Sequence, residues 1–522
     1  MTGLTVLGTW LKQQLERRGN VDVRSAADSH VPTVNVVGAG GGVTAAYEQL
    51  RNAAENAEEH LLLQNAIRRF YRQSFITRDE ELIGRSGLEL ITELTLAGYL
   101  SNDTITHTQA NSITERAVAQ YRAYEELHTE SHRAPSQAYE WTLDVLAADI
   151  ETTINNHDDD ELFVEFALRY YEQLIDVSLL PSDVRTKADE LSTALYVTIH
   201  KVLLKSNEGL IRHRLLARYQ VVPAQLKSYV SYNEKIDALF DSDLLDTIRR
   251  VIDRQGAPLR VLRRMMQDEP DFARLLANED NFLDHYEKQI RNEYARVGDR
   301  TKKAIIRSVI FLIVTKVLIG VSVEVPYDYW AHDGIIWLPL IINLLFPPVY
   351  MVTLQLTHRL PNGANTRALV DRMETTLYGN LGQLSRNQLV GARYGNVSSS
   401  LYAISGLAIM ASLVWLLLLL RFSFVHIAIF FAFLSAASFL GFRISRLIRE
   451  LEIVRSAQSG VTFVRDLLYL PFVIVGRWMS DKYSKVNIVA IALDILIELP
   501  LKTILRLIRQ WGTFIDDRKD RI

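Results

Sequence analysis

The chain has 522 residues, a formal net charge of −3 and a mean hydropathy of +0.03. That length exceeds one ordinary core, so two or more folding units are expected, and the near-zero charge gives no global pull toward nucleic acid or anionic lipid. The absence of cysteine excludes disulfides, thiolate metal sites and cysteine nucleophiles, and it fits a reducing cytoplasm.

The average hydropathy hides a segregation: charged residues concentrate before Ala304 and apolar ones after it. The first residues, Met1 to about Asn20, read as a weakly amphipathic helix and lack the basic leader of a signal peptide. The stretch to residue 44 is a linker. Its Val36-Val-Gly-Ala-Gly-Gly-Gly-Val43 run fails as a dinucleotide-binding turn, because Val43 holds the third glycine position and no second strand follows. A glycine hinge is the expected role.

From residue 45 to 303 the apolar spacing is helical, as in Leu50, Ala53, Ala57, Leu61, Ile67 and Phe70. A cytoplasmic helical region is expected there, with a break near Asn155. The acidic run Asn155 to Glu161 lacks the glycine and distal glutamate of a calcium loop, so it reads as a helix start. His128 and His132 match no zinc motif and are expected on the surface. Basic residues gather at 201–218 and 249–264. They are expected on solvated faces, and because the region borders a membrane, anionic lipids of the inner leaflet are the next candidate partner. Nucleic acid is not an expected partner.

Four later runs approach the roughly 20 apolar residues that cross about 30 Å of hydrocarbon: Ala304–Glu324, Ile335–Leu356, Leu401–Leu420 and Phe424–Phe442. Arg300, Lys302, Lys303, Arg367, Arg372, Arg386, Arg393, Arg443 and Arg446 lie on one side of these runs. The loop from Glu324 to Asp333 is acidic and aromatic. Basic loops stay inside, so a multi-pass protein of the cell membrane with both termini cytoplasmic is expected. Tyr327, Tyr329, Trp330 and Trp337 would form the outer aromatic belt. Ala428, Ala432 and Ala436, with Ser405, Ala408 and Ser412 opposite, predict close packing of the last two runs.

Lys316 stands eight residues before Glu324, and Asn343 eight residues after Ile335 on a helix running the other way. At 1.5 Å per residue both lie about 12 Å below the outer surface. Pro347 cannot donate to the carbonyl of Asn343, and Pro348 follows it. An ammonium, an amide and a released carbonyl therefore share one level, and intramembrane charges are functional candidates. Lys316, Asn343, Pro347 and Pro348 form the candidate polar node.

Beyond residue 443 the tail is amphipathic. Asp494, Glu498, Lys502 and Arg506 recur every four residues as one polar stripe on an apolar helix. Such a helix is expected along the inner membrane surface. The whole is thus expected to be all-α: a helical cytoplasmic region, a four-helix transmembrane segment and amphipathic C-terminal helices. No catalytic, metal or cofactor motif stands out. The sequence favours a non-enzymatic membrane-anchored scaffold or interaction protein, with an unidentified protein or the lipid bilayer as partner. The alternative is a transporter or channel component using the node at Lys316, Asn343 and Pro347–Pro348. An embedded enzyme built on Asp494 and Glu498, or on the histidines, ranks third.

Overall fold

The computed structural model describes residues 3–25, 32–36, 61–77, 80–130, 135–155, 158–175, 188–356, 361–379, 396–453, 469 and 471–479. Among them the chain is all-helical, with β pairing confined to isolated bridges such as Thr33–Thr106. The glycine-rich run, His132 and the stripe at Asp494, Glu498, Lys502 and Arg506 lie outside the described residues. The helices are α1 (Val6–Ser25), α2 (Leu62–Thr77), α3 (Glu80–Gly84), α4 (Ser86–Leu96), α5 (His107–Glu130), α6 (Pro135–Ile154) and α7 (Asp158–Leu174). They continue as α8 (Ala188–Ile199), α9 (Glu208–Arg218), α10 (Leu226–Phe240), α11 (Asp243–Gln255), α12 (Ala257–Asp268) and α13 (Phe272–Leu275). The last are α14 (Glu279–Ile319), α15 (Val325–His332), α16 (Trp337–Leu356), α17 (Gly363–Leu377), α18 (Asn396–Leu419) and α19 (Phe424–Arg449).

These helices form two compact units. One comprises Gln14–Leu168 and Lys187–Ile248, so residue 155 falls inside it. Its core is built by the apolar stripes of α2, α4, α5 and α6, through Tyr71, Phe75, Leu90, Ile113, Leu146 and Ile150. Each such fully buried side chain contributes about 1.5–3 kcal/mol of transfer free energy. Helix α4 closes on α5 where Gly87 meets the backbone of Ala110, a place no side chain could occupy. Much of the basic run after Lys201 is internally paired here. Lys201 meets Glu208, Arg214 meets Glu161, and Arg218 meets Glu165. Arg212, buried, donates to Asn233 Oδ1 at 2.8 Å and to Asp237 Oδ1 at 2.5 Å. Trp141 Nε1 donates to the other Asp237 oxygen at 2.9 Å.

The other unit contains Met1–Gln13, Arg169–Thr186 and Arg249–Val486. Asn278 caps α14 and Asn362 caps α17, each accepting from the backbone N–H three residues on. The Asn365 side chain ties three elements together. Its amide donates to Tyr294 Oη and to the Leu451 carbonyl, and its oxygen accepts from Ile453 N–H. In the second basic run, Arg260 pairs with Asp253, and Arg264 with Asp268 and Glu293.

Two helical courses, Glu279–His332 and Phe424–Arg449, are long and apolar enough to cross a membrane, and Trp337–Thr353 and Ile404–Leu419 are shorter apolar helices. The course through α14 and α15 corrects the expected outer loop: Glu324 to His332 is helical. The joint is a π-turn over Gly320–Glu324, in which Val325 N–H donates to Gly320 O five residues back. Pro326 follows at once and has no N–H to give to Ser322. The longer bond pattern thus falls where the α pattern is already interrupted. Helix α16 runs on through Pro347 and Pro348.

The close approach of the last two runs through small residues is also corrected. Ala408, Ser412 and Ala428 are exposed. Helix α19 instead turns Phe430, Phe433, Leu434, Ala437 and Ser438 inward and packs on α14 and α16. The small-residue contact belongs to the helical stretch 471–479. There Gly476 lies directly on the Ser435 carbonyl and Phe439, while Pro471 rests on Gly406. Phe472 of that stretch enters the core with Leu417, Phe422, Phe430 and Leu434.

Candidate functional site: a buried acid–base cluster

The apolar helices of the second unit enclose five polar side chains: Lys316, Glu324, Asp328, Asn343 and His426 are each at most 2 % exposed. Lys316 sits on α14, Glu324 ends the π-turn, Asp328 is on α15, Asn343 on α16 and His426 in the first turn of α19. Lys316, Gly320 and Glu324 follow one another at intervals of four, so they share a helix face. Lys316 Nζ reaches Glu324 Oε1 at 2.5 Å. Gly320 lies between them, and a β-carbon placed there would stand 3.8 Å from Glu324 Oε2. The ammonium also sits 5.0 Å from the Phe433 ring centre, in cation–π range.

Asn343 Nδ2 donates to the same Glu324 oxygen at 2.9 Å and to the His426 carbonyl at 3.2 Å. The amide therefore joins α16 to both the π-turn and α19. His426 is held by Ser423, the N-cap of α19. Ser423 Oγ accepts from His426 N–H at 3.5 Å and shares a hydrogen bond with His426 Nδ1 at 2.8 Å. The other ring nitrogen, Nε2, faces Asp328 Oδ1 at 3.4 Å. Asp328 Oδ2 accepts from Ile336 N–H at 3.0 Å, just before α16 begins. His332, one turn after Asp328, brings its Nδ1 to 3.8 Å from Asp328 Oδ1, and its side chain is 37 % exposed. The Tyr327 ring packs edge-on against both histidines.

The sequence brought Lys316 and Asn343 to one depth, and the structure brings both onto one acceptor. That acceptor is the Glu324 carboxylate, the last residue of the first apolar run. Four cluster atoms have no hydrogen-bond partner among the described residues: Glu324 Oε2, Asp328 Oδ1, Asn343 Oδ1 and His426 Nε2. Buried polar atoms are normally satisfied, so the arrangement holds unused donor and acceptor capacity. Among the described residues no group of three or more His, Cys, Asp or Glu side chains is disposed to hold a metal ion. The chain matches no protein-family model, no curated protein and no solved structure.

Proposed function

We propose that the chain is a multi-pass membrane protein with four crossings and both termini in the cytoplasm, anchoring a helical scaffold at the membrane. The supporting observation is where large apolar side chains meet solvent. They include Ile306, Ile310, Phe311, Val314 and Leu318 on α14, Val321 on the π-turn, Trp330 on α15, Leu345 on α16, Leu407 and Trp415 on α18, and Phe424 on α19. Among the described residues of the other unit, only Leu88, Tyr219 and Val222 are comparable. Exposed apolar surface on that scale needs a cover, and lipid covers it if α16 and α18 cross beside the two longer courses. Trp330 and Trp337, 85 % and 63 % exposed, then lie at the outer interface. Flotation of the expressed chain with vesicles after carbonate washing tests the anchoring; recovery in the soluble fraction contradicts it. Photocrosslinkers at Leu88 and Val222 test the scaffold role. Adducts with another protein support it, and adducts with lipid alone contradict it.

A second reading is a transporter or channel component, and the buried cluster favours it. Ionisable groups at membrane depth are costly and are retained at ion and proton pathways. Proteoliposome flux lost on Asn343→Ala, in a protein that still folds, supports this reading.

A further inference from the structure

We infer that Asp328 and His426 form a one-proton site, reached through His332, within the membrane bundle. The inference rests on the membrane-embedded reading above and goes beyond it by naming the ligand. The enclosed charges do not balance. Lys316 and Glu324 are paired and cancel. Asp328 adds a second negative charge, and a neutral His426 adds none, so the enclosed cluster lacks one positive charge. A net charge in a low-dielectric interior is costly, and one proton removes it.

Geometry places that proton. His426 Nε2 and Asp328 Oδ1 face each other at 3.4 Å, both buried and both without a hydrogen bond. The opposite ring nitrogen is engaged by Ser423, which fixes the ring plane. A proton added between Nε2 and Oδ1 converts an imidazole and a carboxylate into a neutral imidazolium–carboxylate pair. No electron transfer or co-reactant is needed.

Access runs through His332. Its ring lies 3.8 Å from the same Asp328 oxygen and is partly exposed, whereas Asp328 and His426 are closed to solvent. Histidine is the side chain suited to pass protons near neutral pH. The other groups facing the site are Lys316 on α14, Glu324 on the π-turn, Tyr327 on α15, and Asn343 on α16. None supplies the missing charge: Lys316 is committed to Glu324, and Asn343 is neutral. Glu324 Oε2 and Asn343 Oδ1 are unused acceptors, but the Glu324 charge is already balanced by the Lys316 ammonium on Oε1, so a small cation there is not needed for neutrality.

The test is ring-nitrogen NMR of histidine-labelled full-length protein in phosphatidylcholine–phosphatidylglycerol vesicles, scanned between about pH 5 and 8. His426 is assigned by His426→Gln, and independently as a ring signal shielded from a water-soluble paramagnetic agent that persists in His200→Gln, since His200 is buried too. The expected result is a shielded imidazole that takes up a proton in this range, with the step lost in Asp328→Asn. His332→Gln, at a partly exposed position, is expected to keep the fold and the step and to slow proton exchange. A His426 ring in one state throughout, a step unchanged in Asp328→Asn, or exchange unaffected by His332→Gln would overturn the assignment. So would a step displaced by sodium, which would mark a cation site. Flotation of the same vesicles reports separately on the membrane reading: a chain that titrates without floating keeps the proton site and loses the bilayer.

Discussion

Lys316 and Glu324, two helical turns apart on one face, form a fully buried ion pair that passes over Gly320. The absent side chain at 320 decides what the pair tolerates. A β-carbon there meets Glu324 Oε2 and Leu340 Cδ1 at 3.8 Å, an ordinary contact. Gly320→Ala should therefore leave the thermal midpoint in nanodiscs nearly unchanged. Gly320→Leu should displace the carboxylate and cost about 3–5 kcal/mol, as for a broken buried pair. Equal stability of the two variants would show that the carboxylate does not lie over residue 320.

Lys316→Leu distinguishes Glu324 from a backbone carbonyl as the partner of the lysine. With a released carbonyl as partner, the apolar replacement would be neutral. With Glu324 as partner, it leaves an unpaired buried carboxylate and should destabilise by about 3–5 kcal/mol. Lys316→Leu with Glu324→Leu should recover most of that loss, because both desolvation costs vanish together. The measurement is a double-mutant cycle on thermal unfolding, and additive losses would refute the pairing.

Gly476 offers a packing test away from the cluster. Any β-carbon at this position overlaps the Ser435 carbonyl and crowds Phe439. Gly476→Ala should lower stability by about 1–3 kcal/mol, the usual cost of overpacking. Unchanged unfolding would mean that residues 471–479 do not rest on α19.

In the helical unit, His213 lies 3.9 Å from Asp149, and its pKa is pushed down to about 4. Burial is the main cause; Asp149 opposes it, while Arg214 and Arg116 add to it. Between pH 4 and an unfolded value near about 6.5, the unfolded chain binds a proton that the folded chain refuses. Stability is therefore full above the unfolded value and falls as pH drops toward 4. His213→Gln should flatten that decline in thermal-melt profiles. A wild-type profile that rises on acidification would contradict the sign.

The helical character, two of the apolar courses and the closeness of Lys316 and Asn343 were legible from spacing and composition. Glu324 was not, because a register shift to π bonding leaves no mark in apolar periodicity. The regular interval of Lys316, Gly320 and Glu324 was the available signal. His426 opens an apolar helix three residues after a capping serine, and its partner Asp328 sat in a stretch read as loop. Their meeting depends on the packing of α15 against α19, which no local pattern specifies. The small-residue interval on α19 misled because the inward face is fixed instead by His426, Phe430, Phe433 and Ala437.

If the apolar helices cross a bilayer with the cluster inside them, Trp330 lies on one side of it and Arg300 and Arg446 on the other. Because the chain lacks cysteine, single cysteines at Trp330, Arg300 and Arg446 can be labelled with a membrane-impermeant maleimide on intact cells. Trp330→Cys is expected to label from outside, and Arg300→Cys and Arg446→Cys only after permeabilisation. Labelling of all three from the same side would contradict that crossing.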